Sequence, residues 1–214
     1  LRPISALVDI TNFFTYDWGR PLHVFDADKI KGNLSVRLSQ KGETFKALDE
    51  KIYPLSDEMT VIADGSGVIS LAGIMGGEST GCDETTHTVF LESAFFEPIH
   101  TSITGRTVNI ISDSRHRFER GVDPLSTLPG LEAATQMILD ICGGEASTLL
   151  VEGQPPYEEM EIPFHTVRLE TLGGLAVELI EDEKILHSLG FKLIEDEAGY
   201  GVIPPSWRFD ITQE

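Results

Sequence analysis

The spacing of apolar positions changes period several times along the chain, and each change predicts an element. Leu7-Val8-Asp9-Ile10-Thr11-Asn12-Phe13-Phe14 has the spacing of a helix ending near the Gly19 turn. Between residues 31 and 70 the period falls to two. Leu34, Val36 and Leu38 alternate with Ser35, Arg37 and Ser39, as in a half-buried strand. Phe45 to Tyr53 reads as a hairpin around Asp49-Glu50, and Val61-Ile62-Ala63 leads through the Asp64-Gly65 turn into Val68-Ile69. Pro98 starts a helix that runs to Arg106. Leu131 to Cys142 is amphipathic, with Leu131, Ala134, Met137, Ile138 and Ile141 on one face and Gly143-Gly144 as its stop. Leu149-Leu150-Val151 predicts one more strand.

Gln154-Pro155-Pro156-Tyr157-Glu158-Glu159 breaks this pattern and predicts a boundary between a large domain over 1–153 and a small one over 160–214. In the second domain, Val167 to Leu172 reads as a short helix closed by Gly173-Gly174. Glu181 to Leu189 reads as another, with acids in its first turn and Gly190 as its end. Phe191 to Ile194 and Tyr200 to Ile203 form a hairpin across Ala198-Gly199, and Trp207-Arg208-Phe209 is strand-like. The fold class that follows is α+β, a large mixed domain and a small truncated module.

Composition removes several alternatives. No apolar run approaches the ~18 residues that span a membrane, and Leu1-Arg2-Pro3 carries no signal-peptide pattern. Both ends read as cut, so the chain is taken as a segment of a longer polypeptide. Cys82 and Cys142 are far apart with no Cys-x-x-Cys, which fits a reducing compartment and argues against a cysteine zinc site. The net charge is −19, from 35 acids against 16 bases. Nucleic-acid binders normally show a basic surface, so contact with RNA must be local or supplied from outside the segment.

The chemistry concentrates around Ile69 to Phe96. Gly73, Gly76, Gly77 and Gly81 punctuate the point where an apolar run gives way to a polar turn, where glycine allows close approach to the backbone. Val89-Phe90-Leu91 then meets Glu92, a lone carboxylate in apolar company. Such an acid either has a structural partner or waits for a ligand. His23 also lies among apolar neighbours, as a core histidine or as part of a pocket. Arg106, Arg115, Arg117 and Arg120 crowd one stretch of an acidic chain, either paired with its excess carboxylates or free to meet a phosphate. No His-x-x-x-His or His-Glu-x-x-His suggests a metal, and no Ser-His-Asp or Cys-His order stands out.

Leu-Ala-Gly-Ile-Met-Gly-Gly-Glu at 71–78 and Leu-Glu-Ser-Ala-Phe-Phe at 91–96 resemble the bacterial phenylalanyl-tRNA synthetase beta subunit, in its editing module. Arg2-Pro3-Ile4, Val8 to Asn12, Pro21 to Asp26 and Arg117 to Pro124 match the same module in order. Pro204-Pro205-Ser206-Trp207-Arg208-Phe209-Asp210 matches the small module that follows it. The sequence departs from many relatives at Thr107 to Ile111, where they carry a longer basic segment.

The resemblance implies hydrolysis of tyrosine wrongly attached to phenylalanine tRNA. Glu92 would recognise the ring hydroxyl. Gly73 and Gly76 would admit the ligand to the backbone, and Ser112 and Ser114 would line the pocket. Thr11, Asn12 and His23 would hold the ester and the attacking water, with His23 as candidate general base. Arg106, Arg115, Arg117 and Arg120 are the tRNA candidates. The resemblance further implies an alpha subunit partner in an alpha2-beta2 tetramer, with ATP and magnesium on that other subunit and no cofactor or metal in this segment. It also implies a cytoplasmic location, with neither membrane nor DNA as partner. Two rival readings stay open: a structural, tRNA-docking part whose pocket is vestigial, and a free-standing amino-acid-binding module.

Overall fold

We analysed a computed structural model of the chain, which describes residues 3–174, 179–196 and 199–214. The chain divides into two compact units, Leu1–Val122 with Ser126–Gly153, and Asp123–Leu125 with Gln154–Glu214.

In the larger unit, helix α1 (Ala6–Asp17) starts at Ser5, whose hydroxyl accepts the Val8 N–H at 3.3 Å. A cap of this kind is worth about 1 kcal/mol. Its buried face, Ile10 and Phe14, packs with Ala134 of helix α4 (Thr127–Cys142) and with Leu22 and Leu91. Helix α4 begins earlier than the apolar pattern predicts, because Pro129 falls in the first turn, where its missing N–H leaves no bond unmade.

Strand β1 (His23–Asp26) pairs antiparallel with β8 (Val89–Glu92), the eighth strand of the chain, in the register His23–Glu92, Val24–Leu91, Phe25–Phe90, Asp26–Val89. Directly opposed residues share a face of the ribbon. One face therefore carries Val24 and Leu91 towards α1 and α4, and the other carries His23, Glu92, Phe25 and Phe90. Phe25 is fully buried among Ile62, Ile69, Ala72, Phe96 and Phe118.

The main sheet is antiparallel, in the order β2 (Ser35–Leu38), β5 (Thr60–Asp64), β6 (Gly67–Leu71), β7 (Met75–Gly76). A hairpin of β3 (Thr44–Lys46) and β4 (Ile52–Pro54) adds Phe45 to a core with Val61, Leu71 and Ile74. Helix α2 (Pro98–Val108) is capped by the Glu97 carboxylate, which accepts the His100 N–H at 2.6 Å, and ends at left-handed Asn109. Helix α3 (Asp113–Phe118) follows.

The smaller unit is a three-stranded antiparallel sheet, β9 (Ile162–Phe164), β10 (Lys192–Asp196) and β11 (Gly199–Ile203), with β11 in the centre. Helices α5 (Thr166–Gly173) and α6 (Leu179–Ser188) accompany it. Ile162, Phe191 and Val202 form its core. The expected β10–β11 hairpin is present, while Ala198 of the expected turn lies outside the described residues.

Four expectations need correction. Leu149-Leu150-Val151 forms no strand and pairs with none among the described residues, and Leu150 is 80% exposed. Trp207-Arg208-Phe209 turns instead of extending, with Arg208 bonded to Asp210. On α4, Ile141 leaves the packed face and is mostly exposed. Val36 and Leu38 form the predicted strand, but at the edge of the sheet, where both stay exposed.

Candidate functional site

The glycine stretch folds as the β6–β7 hairpin, with Ser70 opposite Gly76 and Leu71 opposite Met75. Its turn needs Gly73, which has φ +69°. A Cβ there would also lie 2.8 Å from the Phe96 ring and 3.0 Å from the Phe118 ring. At Gly76 a Cβ would fall 2.3 Å from Cε1 and 2.5 Å from Nε2 of His23. The groups that approach these two backbones are thus protein rings, and one of them is the candidate histidine. His23 meets Phe25 edge to face, with centroids 4.4 Å apart. Glu92 stands opposite His23 in the ribbon register, on the same face.

Neither side chain has a hydrogen-bond or ion-pair partner among the described residues. Burial lowers the His23 pKa to about 4 and raises that of Glu92 to about 7. Both side chains keep some accessible surface while standing in dense surroundings. At neutral pH the imidazole is uncharged and the carboxyl is poised between its two forms. Buried polar groups normally find partners. Two partnerless groups, displaced in opposite directions and opposed in the ribbon register, make this the candidate site.

The serines form a second group around the same turn. Ser112 caps α3, accepting the Arg115 N–H at 3.1 Å and donating to the Ile74 carbonyl at 2.6 Å. Ser114 donates to the Gly73 carbonyl at 3.1 Å. Both hydroxyls therefore tether α3 to the hairpin turn. On α1, the buried Thr11 hydroxyl donates to the Val8 carbonyl at 2.9 Å, and Asn12 is half-buried. No hydrogen bond among the described residues joins either to His23 or Glu92.

Residues 1–143 match the B3/4 domain family, and residues 162–214 match the tRNA synthetase B5 domain family. Across its whole length the chain is 55% identical to the phenylalanine–tRNA ligase beta subunit of Paramagnetospirillum magneticum, of which it covers 27%. It is 54% identical to that of Ruegeria pomeroyi, covering 26%. The chain belongs to the phenylalanine–tRNA ligase beta-subunit family. It spans about a quarter of the length of the curated relatives it matches. A looser likeness, with a TM-score of 0.45 and 16% identity over 96% of this chain and 61% of the other, is to an N-terminal fragment of the Pyrococcus horikoshii phenylalanyl-tRNA synthetase beta subunit.

In this beta-subunit segment the four arginines are not equivalent. Arg115 is tied inward, donating to the Gly105 carbonyl at 3.0 Å, the Ile110 carbonyl at 2.5 Å and Glu119 at 3.0 Å. Arg117 lies 4.7 Å from the centroid of the Tyr16 ring and donates to the Asp113 carbonyl at 3.0 Å. Arg120 pairs with Glu119 at 2.9 Å. Arg106 is exposed, with no ion pair among the described residues. Local pairing thus accounts for three of the four.

Sequence reasoning passed over Arg20. It is fully buried, and its guanidinium donates to the Ala94 carbonyl and to Ser126. Its position between Gly19 and Pro21, just ahead of a strand in an acidic chain, was the available signal.

Proposed function

We propose that the larger unit hydrolyses tyrosine mis-attached to phenylalanine tRNA, acting as a second sieve for the parent synthetase. The observation that carries this reading is Glu92, partnerless and half-buried, in register with His23 on one face of the β1–β8 ribbon. A pocket shaped for phenylalanine rejects a ligand with one added hydroxyl only about a hundredfold. A pocket whose buried acceptor needs that hydroxyl does far better, because phenylalanine leaves the acceptor unpaired. The ionised Glu92 accepts the phenol O–H. Gly73 and Gly76, which make room for the Phe96, Phe118 and His23 rings, shape the wall from behind, with Ser112 and Ser114 tethering the turn.

Thr11, Asn12 and His23 hold the ester and the attacking water. His23, neutral at physiological pH, accepts a hydrogen bond from that water but is a weak base, since efficient proton acceptors have values near the working pH. Positioning and donors on the developing oxyanion carry the remainder of the rate, with the ribose hydroxyl of the substrate and backbone amides as the available groups. Arg106, exposed and with no ion pair among the described residues, meets a tRNA phosphate, and Arg117 and Arg120 reach one only by exchanging their present partners, with Arg115 held inward behind them. Ligation itself, with its ATP and magnesium, belongs to the alpha subunit of an alpha2-beta2 assembly in the cytoplasm. No described helix is long and apolar enough to cross a membrane.

A second reading, a structural and tRNA-docking part with a vestigial pocket, draws on the hydroxyls of Thr11, Ser112 and Ser114, all satisfied internally. Deacylation by the assembled synthetase separates the two. Glu92→Ala is expected to abolish the preference for tyrosyl over phenylalanyl ester on phenylalanine tRNA while leaving aminoacylation intact. Unchanged selectivity favours the scaffold.

A further inference from the structure

His23 and Glu92 form the last rung of the β1–β8 ladder, since β1 begins at one and β8 ends at the other. A two-stranded ribbon is marginal by itself, and its ends open first. The residues that would hold a ligand therefore sit where the ribbon is least restrained, unless something beyond the last rung holds it.

Arg20 stands at that place. It lies three residues before His23, and its Nη1 donates to the carbonyl of Ala94, two residues after Glu92, at 2.6 Å. Nε and Nη2 donate to the Ser126 hydroxyl at 2.9 and 2.7 Å, just ahead of α4. Ser93, between Glu92 and Ala94, donates to the Thr127 carbonyl at 2.7 Å. The Arg20 N–H itself donates to the Phe14 carbonyl at 3.1 Å, at the end of α1. Through its backbone and its side chain, one residue thus joins the end of α1, the approach to β1, the exit from β8 and the start of α4. The fit is close, because a Cβ on Gly130 of α4 would lie 2.9 Å from the Arg20 Cγ. Burying a guanidinium is costly, and a well-packed apolar residue often stabilises as well or better.

We propose that Arg20 is the positioning residue of this site: its buried guanidinium supplies the rung beyond the ladder and so fixes Glu92 opposite His23. This rests on the proposed function for its enzymatic consequence but not for its geometry. Lysine keeps the charge and loses the fork that bonds two segments at once.

The test uses the assembled synthetase carrying Arg20→Lys, assayed well below its melting temperature. The kcat for tyrosyl ester hydrolysis should fall about tenfold or more, as small misplacements of a positioned group do. The KM for the charged tRNA and the aminoacylation rate should stay unchanged, and the selectivity against phenylalanyl ester should shrink. Gly130→Ala, which displaces the Arg20 stem and keeps its charge, should shift selectivity in the same direction. Merely structural support would lower the melting temperature and leave selectivity untouched, and that result overturns the proposal. If the unaltered synthetase shows no tyrosyl ester hydrolysis, the proposed function fails, and the positioning is read from a crystal structure of the Arg20→Lys enzyme. Glu92 must then have left its place opposite His23; an unmoved Glu92 overturns the inference.

Discussion

Replacing Glu92 with Gln should change how the stability of the larger unit depends on pH. Glu92 has its pKa raised from 4.5 to about 7. The folded state keeps a proton that the unfolded chain has lost, so the contribution of Glu92 is full below pH 4.5 and is lost as pH rises through 7. That rise in pKa corresponds to about 3 kcal/mol, an upper figure because the carboxyl keeps accessible surface. His23 is lowered from 6.5 to about 4, the opposite case. Its contribution is full above pH 6.5 and is lost as pH falls through 4. Between about pH 4.5 and 6.5 the two slopes offset one another, and the parent chain should be nearly flat. Glu92→Gln removes one slope and should reveal a stability that rises across that window by about 2 kcal/mol. Urea titrations from pH 4.5 to 8.5 would measure it, following Trp18 fluorescence in a Trp207→Phe background so that only the larger unit reports. A Glu92→Gln curve parallel to the parent within about 0.5 kcal/mol would refute the argument that both groups are desolvated at one place.

Gly76→Ala drives a methyl into the His23 ring and should cost about 1–3 kcal/mol, as overpacking does, read as a lowered melting temperature together with lost tyrosyl ester hydrolysis. Arg115→Ala strands the Ile110 carbonyl and removes one of the donors to the Gly105 carbonyl, and should destabilise by about 2 kcal/mol in urea titrations. Arg106→Ala should stay within about 0.5 kcal/mol of the parent yet weaken tRNA binding in a filter assay. Hydrolysis of tyrosyl ester should rise with pH through about 7 as Glu92 ionises, and Glu92→Gln should remove that limb.

Elements built from local signals were legible in the sequence. The apolar spacing of α1, the hairpin turns at Asp49-Glu50 and Asp64-Gly65, and the glycine stops after α4 and α5 all act over a few residues. Helix α3 was not legible, because six residues make too little of a period. Strand β9 is three residues long and meets its partner β11 only across the rest of its unit. The β1–β8 register was beyond sequence reasoning for the same physical cause. Its partners are far apart along the chain, and nothing local says that His23 faces Glu92. Resemblance named both residues, while the pairing and the Arg20 link that holds it came from the fold. Leu149 to Val151 shows the reverse failure, since an apolar run is a strand only when another strand receives it.

The most direct test of the central claim, that the Glu92 carboxylate selects a tyrosine hydroxyl, is an NMR titration of the chain with tyrosine, phenylalanine and leucine. The account predicts shifts at His23, Gly76 and Glu92 with tyrosine alone, abolished by Glu92→Ala. Equal shifts with phenylalanine, or tyrosine shifts that survive Glu92→Ala, would contradict it.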